Sequence, residues 1–455
     1  MQIGFNISNF FKNGHSRTVE AKKNVAGNIV IKAFSMFISF IIVPITINYI
    51  NPTQYGIWLT LTSMISWVSL LDVGLTQGLR NKFAEAKAKN DDELAKIYVS
   101  TTYFYITILF VGVWVLLYLV NNFIDWNTLI NIPIVLNKEV KMLASIIITY
   151  FCLQFIFQII KTIIIADQKP AIAALIDLIG QVVSLLIIYI FTLVTNGSLI
   201  LLGIAIGVFP VLFLIIANIY FFSTDYKPFK PEIKFVKNQY RNELMGLGLK
   251  FFILQLAGMI QYGSSLFLIA RYFDTSEVTS YNIAFKYFMT LQGIFLIFLA
   301  PLWSSSTDAY FKGDFNWIIS IVKSYLLILL PFLGLGIIML IYANKFYDFW
   351  LGEGIVDISF KVSLYSFIFF AVGMFASIFV NVINGIGALK IQFYSSLVTS
   401  IGFILLALFF IKFLNLPVWS IILASIISNV YGYLLAPIQL YHILVVRKLN
   451  SIWFK

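Results

Sequence analysis

Charge is scarce in this chain, and so are the side chains that usually do chemistry. Asp, Glu, Lys and Arg make up 11% of the 455 residues. The single cysteine, Cys152, lies inside an apolar segment, which excludes a disulfide framework and any Cys/His metal cluster. The two histidines, His15 and His442, stand apart near opposite ends, where a surface role is the default. The sequence contains no GxxxxGK[ST], HExxH, GxSxG or paired CxxC. It therefore carries no phosphate loop for an ATP motor and no motif of a metalloprotease or hydrolase. The connections between apolar segments are too short to hold a catalytic domain. These absences argue against an enzyme, and no catalytic residue, metal or cofactor is expected.

What fills the space is hydrocarbon. Hydrophobic residues make up 60% of the chain, and the mean hydropathy is +0.92. That composition belongs to a polytopic, all-α membrane protein. A helix needs ~20 apolar residues to cross the hydrocarbon core. Twelve such spans are expected, at about 24–50, 55–79, 97–120, 141–165, 171–194, 199–222, 246–271, 278–303, 317–342, 360–385, 391–413 and 418–445.

The formal charge of +11 could suggest nucleic acid, but in a membrane chain it first indicates the positive-inside bias. With the N-terminus placed inside, 23 of the 31 Lys and Arg residues fall on the inner side and six on the outer. The remaining two, Lys32 and Lys286, are intramembrane. Both termini are therefore expected in the cytoplasm, with 1–23 a retained tail, not a cleaved signal, and 446–455 a second tail.

Segment 223–245 divides the spans into two groups of six, an N-lobe over 24–222 and a C-lobe over 246–445. At helical spacing Lys230, Lys234, Lys237 and Arg241 share one face, and Pro231 suits a first turn. The expectation is an amphipathic linker helix on the cytoplasmic membrane surface, basic side toward anionic lipid. The halves also match weakly at a shift of 223: Tyr49 with Tyr272, Ala86 with Ala309, Lys89 with Lys312, Asp91 with Asp314. Six helices per half make such repeats parallel, packed as two lobes around a central cleft.

The intramembrane polar residues fall in stripes. Asn28, Lys32, Ser35, Ser39 and Thr46 keep one face of the first helix. Thr62, Ser66, Ser69, Asp72 and Thr76 do so on the second. Gln154, Gln158 and Lys161 mark the fourth, Asp177, Gln181 and Ser184 the fifth, Gln255 and Tyr262 the seventh, Asn282 and Lys286 the eighth, Ser377, Asn381 and Asn384 the tenth. A lone Ser or Thr in such a place usually bonds its own backbone or a neighbouring helix. A charge at that depth asks for more. Lys32 and Lys286 are the candidate cationic site, with Asn28, Ser35, Ser39, Gln255 and Asn282 as polar lining. Asp72 and Asp177 are candidate ion-coupling carboxylates. A buried structural pair, Asp72 with Lys32 for example, is the competing reading.

The run NPTQYGIW followed by LLDVGLTQGLRNKFAEAKA resembles the start of polysaccharide flippases of the multidrug/oligosaccharidyl-lipid/polysaccharide superfamily. There the second helix is entered through a Tyr-Gly pair, here Tyr55 and Gly56. It is left through Asp-x-Gly and a basic residue, here Asp72, Gly74 and Arg80. The segment APLWSSSTDAYFKGDF at 300–315 resembles the family's exit from helix eight. The resemblance implies a plasma-membrane flippase for undecaprenyl-pyrophosphate-linked repeat units of O-antigen or capsule. It implies H+ or Na+ as the coupling ion. The implied partners are lipid-linked oligosaccharide, membrane lipid, and a polysaccharide polymerase with its chain-length machinery. Three alternatives stand beside it: a multidrug exporter of the same superfamily, a membrane polymerase or ligase, and a peptidoglycan-precursor flippase. The last typically carries two further C-terminal helices.

Overall fold

A computed structural model describes residues 16–68, 75–167, 169–241, 263–388 and 390–446. Among these residues the chain is predominantly helical, without a strand. Nine helices are long and apolar enough to cross a membrane, and a bent pair, Trp419–Ser428 with Tyr431–Val446, makes a tenth if counted as one span. The expected spans 55–79 and 246–271 run partly through residues outside those described.

Two compact units emerge. The first comprises residues 1–51, 65–129 and 133–253, the second residues 52–64, 130–132 and 254–455. In the first unit the longer helices are α1 Ser16–Tyr49, α3 Leu75–Ala88, α4 Asp92–Phe123, α5 Asn137–Phe157, α6 Ile159–Ala166, α7 Pro170–Val194 and α8 Phe209–Ser223. Helix α2, Pro52–Ser66, contributes residues 52–64 to the second unit. The rest of that unit is built on α9 Thr275–Phe311, α10 Phe315–Ile341, α11 Ala343–Leu351, α12 Phe360–Ile386, α13 Lys390–Lys412, α14 Trp419–Ser428 and α15 Ala436–Tyr441.

The grouping of α2 with the second unit has a local cause. A Cβ on Gly56 would lie 1.7 Å from the Thr275 carbonyl oxygen. Only glycine permits that backbone approach. The Thr279 hydroxyl then donates to the Pro52 carbonyl at 2.6 Å. In the first unit α1 packs along α7, α4 lies against α3 and α5, and α8 packs on α7 and α5. In the second, α9 and α12 pack closely, with Leu291, Phe295, Met374, Ile378 and Val382 in the core.

Segment 223–245 corrects an expectation. Between residues 224 and 238 it is not an α-helix: single 3₁₀ turns at Lys227–Phe229 and Ile233–Phe235 are joined by extended backbone, and helix resumes only at 239. Pro228 and Pro231 remove two amide donors, and Lys230, ahead of Pro231, is extended at ψ 128°. The four basic residues consequently do not share a helical face. The strand-like stretch is instead fastened to the first unit. The Phe229 ring packs edge-on against Phe83, Glu232 pairs with Lys96, and the Glu232 amide donates to the Ser100 hydroxyl. Farther on, the Lys237 amide donates to Thr101 and Tyr240 packs against Tyr98.

Two details repeat between the units. Asn90, with φ +56°, and Gly313, with φ +76°, each occupy a left-handed position before a capping aspartate. Asp91 accepts from the Leu94 amide at 2.9 Å, and Asp314 from the Trp317 amide at 3.1 Å. Their own amides donate back to the carbonyls of Ala86 and Ala309. Each unit also has a π-turn two residues ahead of a proline, Ile204–Val208 before Pro210 and Tyr431–Leu435 before Pro437.

Candidate functional site

Helices α5–α6 and α7 form an antiparallel hairpin centred near residue 169. Near the turn, residues equally far from that centre face one another: Lys161 and Asp177, each eight residues away, are in contact. Gln154 and Ser184, each fifteen away, line one cavity. The hairpin thus stacks the polar faces of the expected fourth and fifth spans, and α1 adds a third.

Together they enclose a cavity of about 510 Å³ in the first unit. Its polar lining comprises Lys32 and Ser35 from α1, Gln154 and Lys161 from α5–α6, and Asp177, Gln181 and Ser184 from α7. Pro210, Val211 and Leu214 of α8 close an apolar side. Gly180 allows α8 near, since a Cβ there would be 3.3 Å from the Pro210 Cβ. The Ser35 hydroxyl donates to Gln181 Oε1 at 2.5 Å, tying α1 to α7. The Lys161 ammonium lies 2.6 Å from Asp177 Oδ1. The lysine is 16% exposed and the carboxylate 53%, so the pair keeps its acidic side accessible from the cavity. Charges at this depth are expensive unless paired or wetted, and this cavity offers both.

The cavity thus gathers Lys32, Ser35 and Asp177. Ser39, half-buried on α1, is not among its lining residues. Asn28 lies on α1, with its side chain outside the described residues, and Asp72 and Gln255 are outside them altogether. Lys286 and Asn282 belong to the second unit, half-buried on α9, where the Lys286 carbonyl accepts the Thr290 hydroxyl at 3.0 Å. Two residues of the polar stripe of α12 bond their own backbone, as the ordinary reading expects, while Asn384 Oδ1 is buried without a hydrogen-bond partner among the described residues. Ser377 donates to the Met374 carbonyl and Asn381 to the Ser377 carbonyl.

Sequence reasoning placed Lys161 in a polar stripe but not as the partner of Asp177. The signal was there: two opposite charges equidistant from a four-residue turn, Asp-Gln-Lys-Pro. That turn carries its own charge cluster. Asp167 meets Lys87 at 2.7 Å and Lys169 at 2.8 Å, and accepts the Tyr226 hydroxyl at 2.9 Å. Burial disfavours the Asp167 carboxylate, but the bonds from Lys169, Lys87 and Tyr226 outweigh it and hold the carboxyl below its ordinary range. Burial and the neighbouring Asp167 push the Tyr226 phenol up.

Comparison with known proteins follows this geometry closely. Residues 21–305 match the model of a family described as polysaccharide biosynthesis protein. A protein of Yersinia pseudotuberculosis described as a candidate O-antigen export protein is 22% identical over 328 residues, covering 71% of this chain and 72% of that one. An inward-facing structure of a multidrug resistance MATE family transporter of the MOP superfamily superposes with a TM-score of 0.76. It is 12% identical and covers 92% of this chain and 98% of its own. An outward-facing structure of a MATE family transporter gives 0.64, also at 12% identity, over 97% and 99%. The fold is therefore that of MOP-superfamily transporters, and the relatives are transporters, not enzymes. With more than half its length matched, this polytopic membrane chain belongs to the polysaccharide biosynthesis protein family.

Proposed function

We propose that the protein flips polyprenyl-pyrophosphate-linked oligosaccharide repeat units across the plasma membrane, from the cytoplasmic to the outer leaflet. The observation that carries this reading is the charge of the first unit's cavity: two lysines, Lys32 and Lys161, against one aspartate, Asp177. A pyrophosphate is anionic, and an excess of fixed cation at membrane depth compensates it. Gln154, Gln181, Ser35 and Ser184 provide amide and hydroxyl partners of the kind sugars use. The family match points to polysaccharide as cargo, and the basic-residue asymmetry supports cytoplasmic termini.

A multidrug exporter is the second reading, since solved neighbours carry that name. At 12% identity they speak for the fold alone. Cationic drugs would favour an acidic cavity, which this one is not. Asp177 is the proposed coupling carboxylate for H+ or Na+, released from Lys161 when an anionic substrate takes the lysine. A polysaccharide polymerase and its chain-length machinery are the proposed protein partners.

The test is reconstitution in proteoliposomes with a fluorescent polyprenyl-pyrophosphate disaccharide on one leaflet and ethidium as the competing cargo. Flipping of the lipid-linked sugar without ethidium efflux is expected. Ethidium efflux alone would replace this reading with the second one.

A further inference from the structure

The strap at 227–241 leaves a hollow of about 330 Å³ against α4. Phe104 and Ile108 of α4 form one wall, and Pro231, Ile233 and Val236 of the strap form the other. The polar groups beside them are already engaged. The Ser100 hydroxyl accepts from the Glu232 amide, and the Tyr103 hydroxyl donates to Asn218. The Glu232 carboxylate pairs with both Lys96 and Lys234. What is left facing the opening is mostly carbon.

The depth of the hollow follows from α4. Residues 103–120 carry no charge, and at 1.5 Å per residue they span about 27 Å, close to the hydrocarbon thickness of a bilayer. Phe104 thus stands at one edge of the hydrocarbon. Ser100 and Thr101, which hold the strap by its amides, stand at headgroup level. Phe104, Ile108, Val111, Val115 and Leu119 are all exposed and share one helical face, a stripe turned to lipid. The hollow is the strap-side end of that stripe. Ile233 overhangs it, 83% exposed, where water is a poor neighbour for it. Exposed lysines rim the strap wall, Lys230 at one end, Lys237 at the other and Lys234 between. Lys234 is paired with Glu232, whereas Lys230 and Lys237 make no ion pair among the described residues.

We propose that the hollow is a site for one anionic phospholipid of the inner leaflet, separate from the cargo. An acyl chain lies on Phe104 and Ile108 beneath Ile233, and the phosphate is held by Lys230 and Lys237. A carbon wall continuous with the lipid-facing stripe, under a cationic rim at headgroup level, is the complement of an anionic amphiphile. A zwitterionic lipid brings no net charge to that rim, and a second copy meeting it face to face would bring the same sign. Losing the linker helix therefore does not remove the membrane contact; it narrows it to one place. The leaflet rests on the cytoplasmic side argued above from basic residues, and nothing here depends on what is transported.

The experiment places the full chain, carrying Ile233→Cys labelled with bimane, in phosphatidylcholine nanodiscs. Cys152 is buried and stays unlabelled. Brominated phosphatidylglycerol or brominated phosphatidylcholine is then titrated in as the quencher. Brominated phosphatidylglycerol is expected to quench at a concentration at least about fivefold lower, the worth of one lysine at an anionic surface, and salt should shrink that preference. Lys230→Gln with Lys237→Gln should erase the preference and leave quenching by phosphatidylcholine as it was. Lys345→Gln, an exposed lysine on α11 of the second unit, should change neither. Equal quenching by the two lipids, quenching by neither, or a preference that survives the double substitution would each overturn the site. Shielding of the label that appears only with two copies per disc would assign the hollow to a second copy instead. Nanodiscs expose both faces, so these readings do not depend on orientation. Reaction of Ile233→Cys with an impermeant maleimide from outside intact cells would overturn the choice of leaflet alone.

Discussion

The two units share their punctuation and differ in their interiors. Each has a left-handed residue and a capping aspartate at the same turn, Asn90–Asp91 and Gly313–Asp314. Each has a π-turn just ahead of a proline. Between those marks the first unit turns polar faces of α1, α6 and α7 onto a cavity with an ion pair in it. Among the described residues of the second unit, Ser377 and Asn381 of α12 bond their own backbone, and Met374, Ile378 and Val382 fill the core beside them. Turns and caps set where helices begin, and two units with matching helix starts have little room to change them. Side chains facing inward can diverge, because each needs only local satisfaction. Substrate chemistry is therefore sought in the first unit, and the predictions run from what would break that contrast to what would refine it.

The largest effect is expected at close approaches that only glycine allows. Gly56→Ala drives a Cβ into a backbone carbonyl of the second unit, which cannot rotate away. A loss of about 3 kcal/mol or more is expected, as for severe overpacking. Gly207→Ala meets the Tyr150 ring at 2.1 Å, and Gly432→Ala meets the Ala376 Cβ at 2.9 Å. In detergent the unfolding midpoint should therefore fall most for Gly56→Ala, then Gly207→Ala, then Gly432→Ala. The reverse order would mean that the second unit's π-turn is the tighter of the two.

Next comes charge. Lys161→Ala should lower flipping by about tenfold or more, the weight of a charge-assisted contact to an anion, while the protein still accumulates. Lys161→Arg should keep more activity than alanine, since the charge persists. If Asp177 is the coupling group, Asp177→Asn should still bind substrate but lose acceleration by a proton or sodium gradient. Lys286→Ala is the matching change in the second unit, with a smaller loss expected. Equal losses at 161 and 286 would erase the proposed asymmetry between the units.

The third effect is acid sensitivity of the strap at 227–241. Hydrogen bonds from Lys234 and Lys96 lower Glu232 from 4.5 to about 2, and Asp167 is also held below its ordinary value. Both carboxylates are depressed in the folded state. Their contribution is thus complete above their unfolded values and fades as pH falls toward the folded ones. Amide protection over 227–241, taken relative to the intrinsic exchange rate at each pH, should fall between about pH 4.5 and pH 2, and Glu232→Gln should flatten that response. Protection indifferent to pH in the native protein would show that the aromatic contacts of Phe229 and Tyr240, not the charges, hold the strap.

Much of this was legible in the sequence, for physical reasons that differ by element. Hydropathy locates spans because lipid tolerates little else, and the stripes on α1, α6 and α7 follow from helical period alone. Asp91 and Asp314 stood out only as a match between the halves; their role as helix caps needed the structure. The strap was misread because spacing of four and three in a basic run looks amphipathic, whereas Pro228 and Pro231 forbid the continuous amide ladder. The Lys161–Asp177 pair required a second idea, reflection across a hairpin, which single-helix periodicity does not contain. Residues 52–64 fell with the second unit through Gly56, a contact that no pattern within α2 announces.

The smallest effect probes the shared turn itself. Asp91→Ala and Asp314→Ala each remove a side-chain acceptor for an amide three residues on, and each should cost about 1 kcal/mol. The two values should agree closely, because the bonds around both aspartates correspond one for one: each amide reaches back to an alanine carbonyl, Ala86 or Ala309, and each carbonyl receives the amide four residues ahead, from Ala95 or Ile318. The left-handed residue before the cap supplies the finer comparison. No neighbouring atom would crowd a Cβ on Gly313, so only its φ of +76° resists substitution. Asn90 already adopts φ +56° at the matching position, and asparagine tolerates that region better than other side chains. Gly313→Asn should therefore be nearly neutral, while Gly313→Val, β-branched, should slow formation of the α10 first turn and raise amide exchange at Trp317. If asparagine proved as damaging as valine there, the two turns would share hydrogen bonds without sharing a conformational requirement.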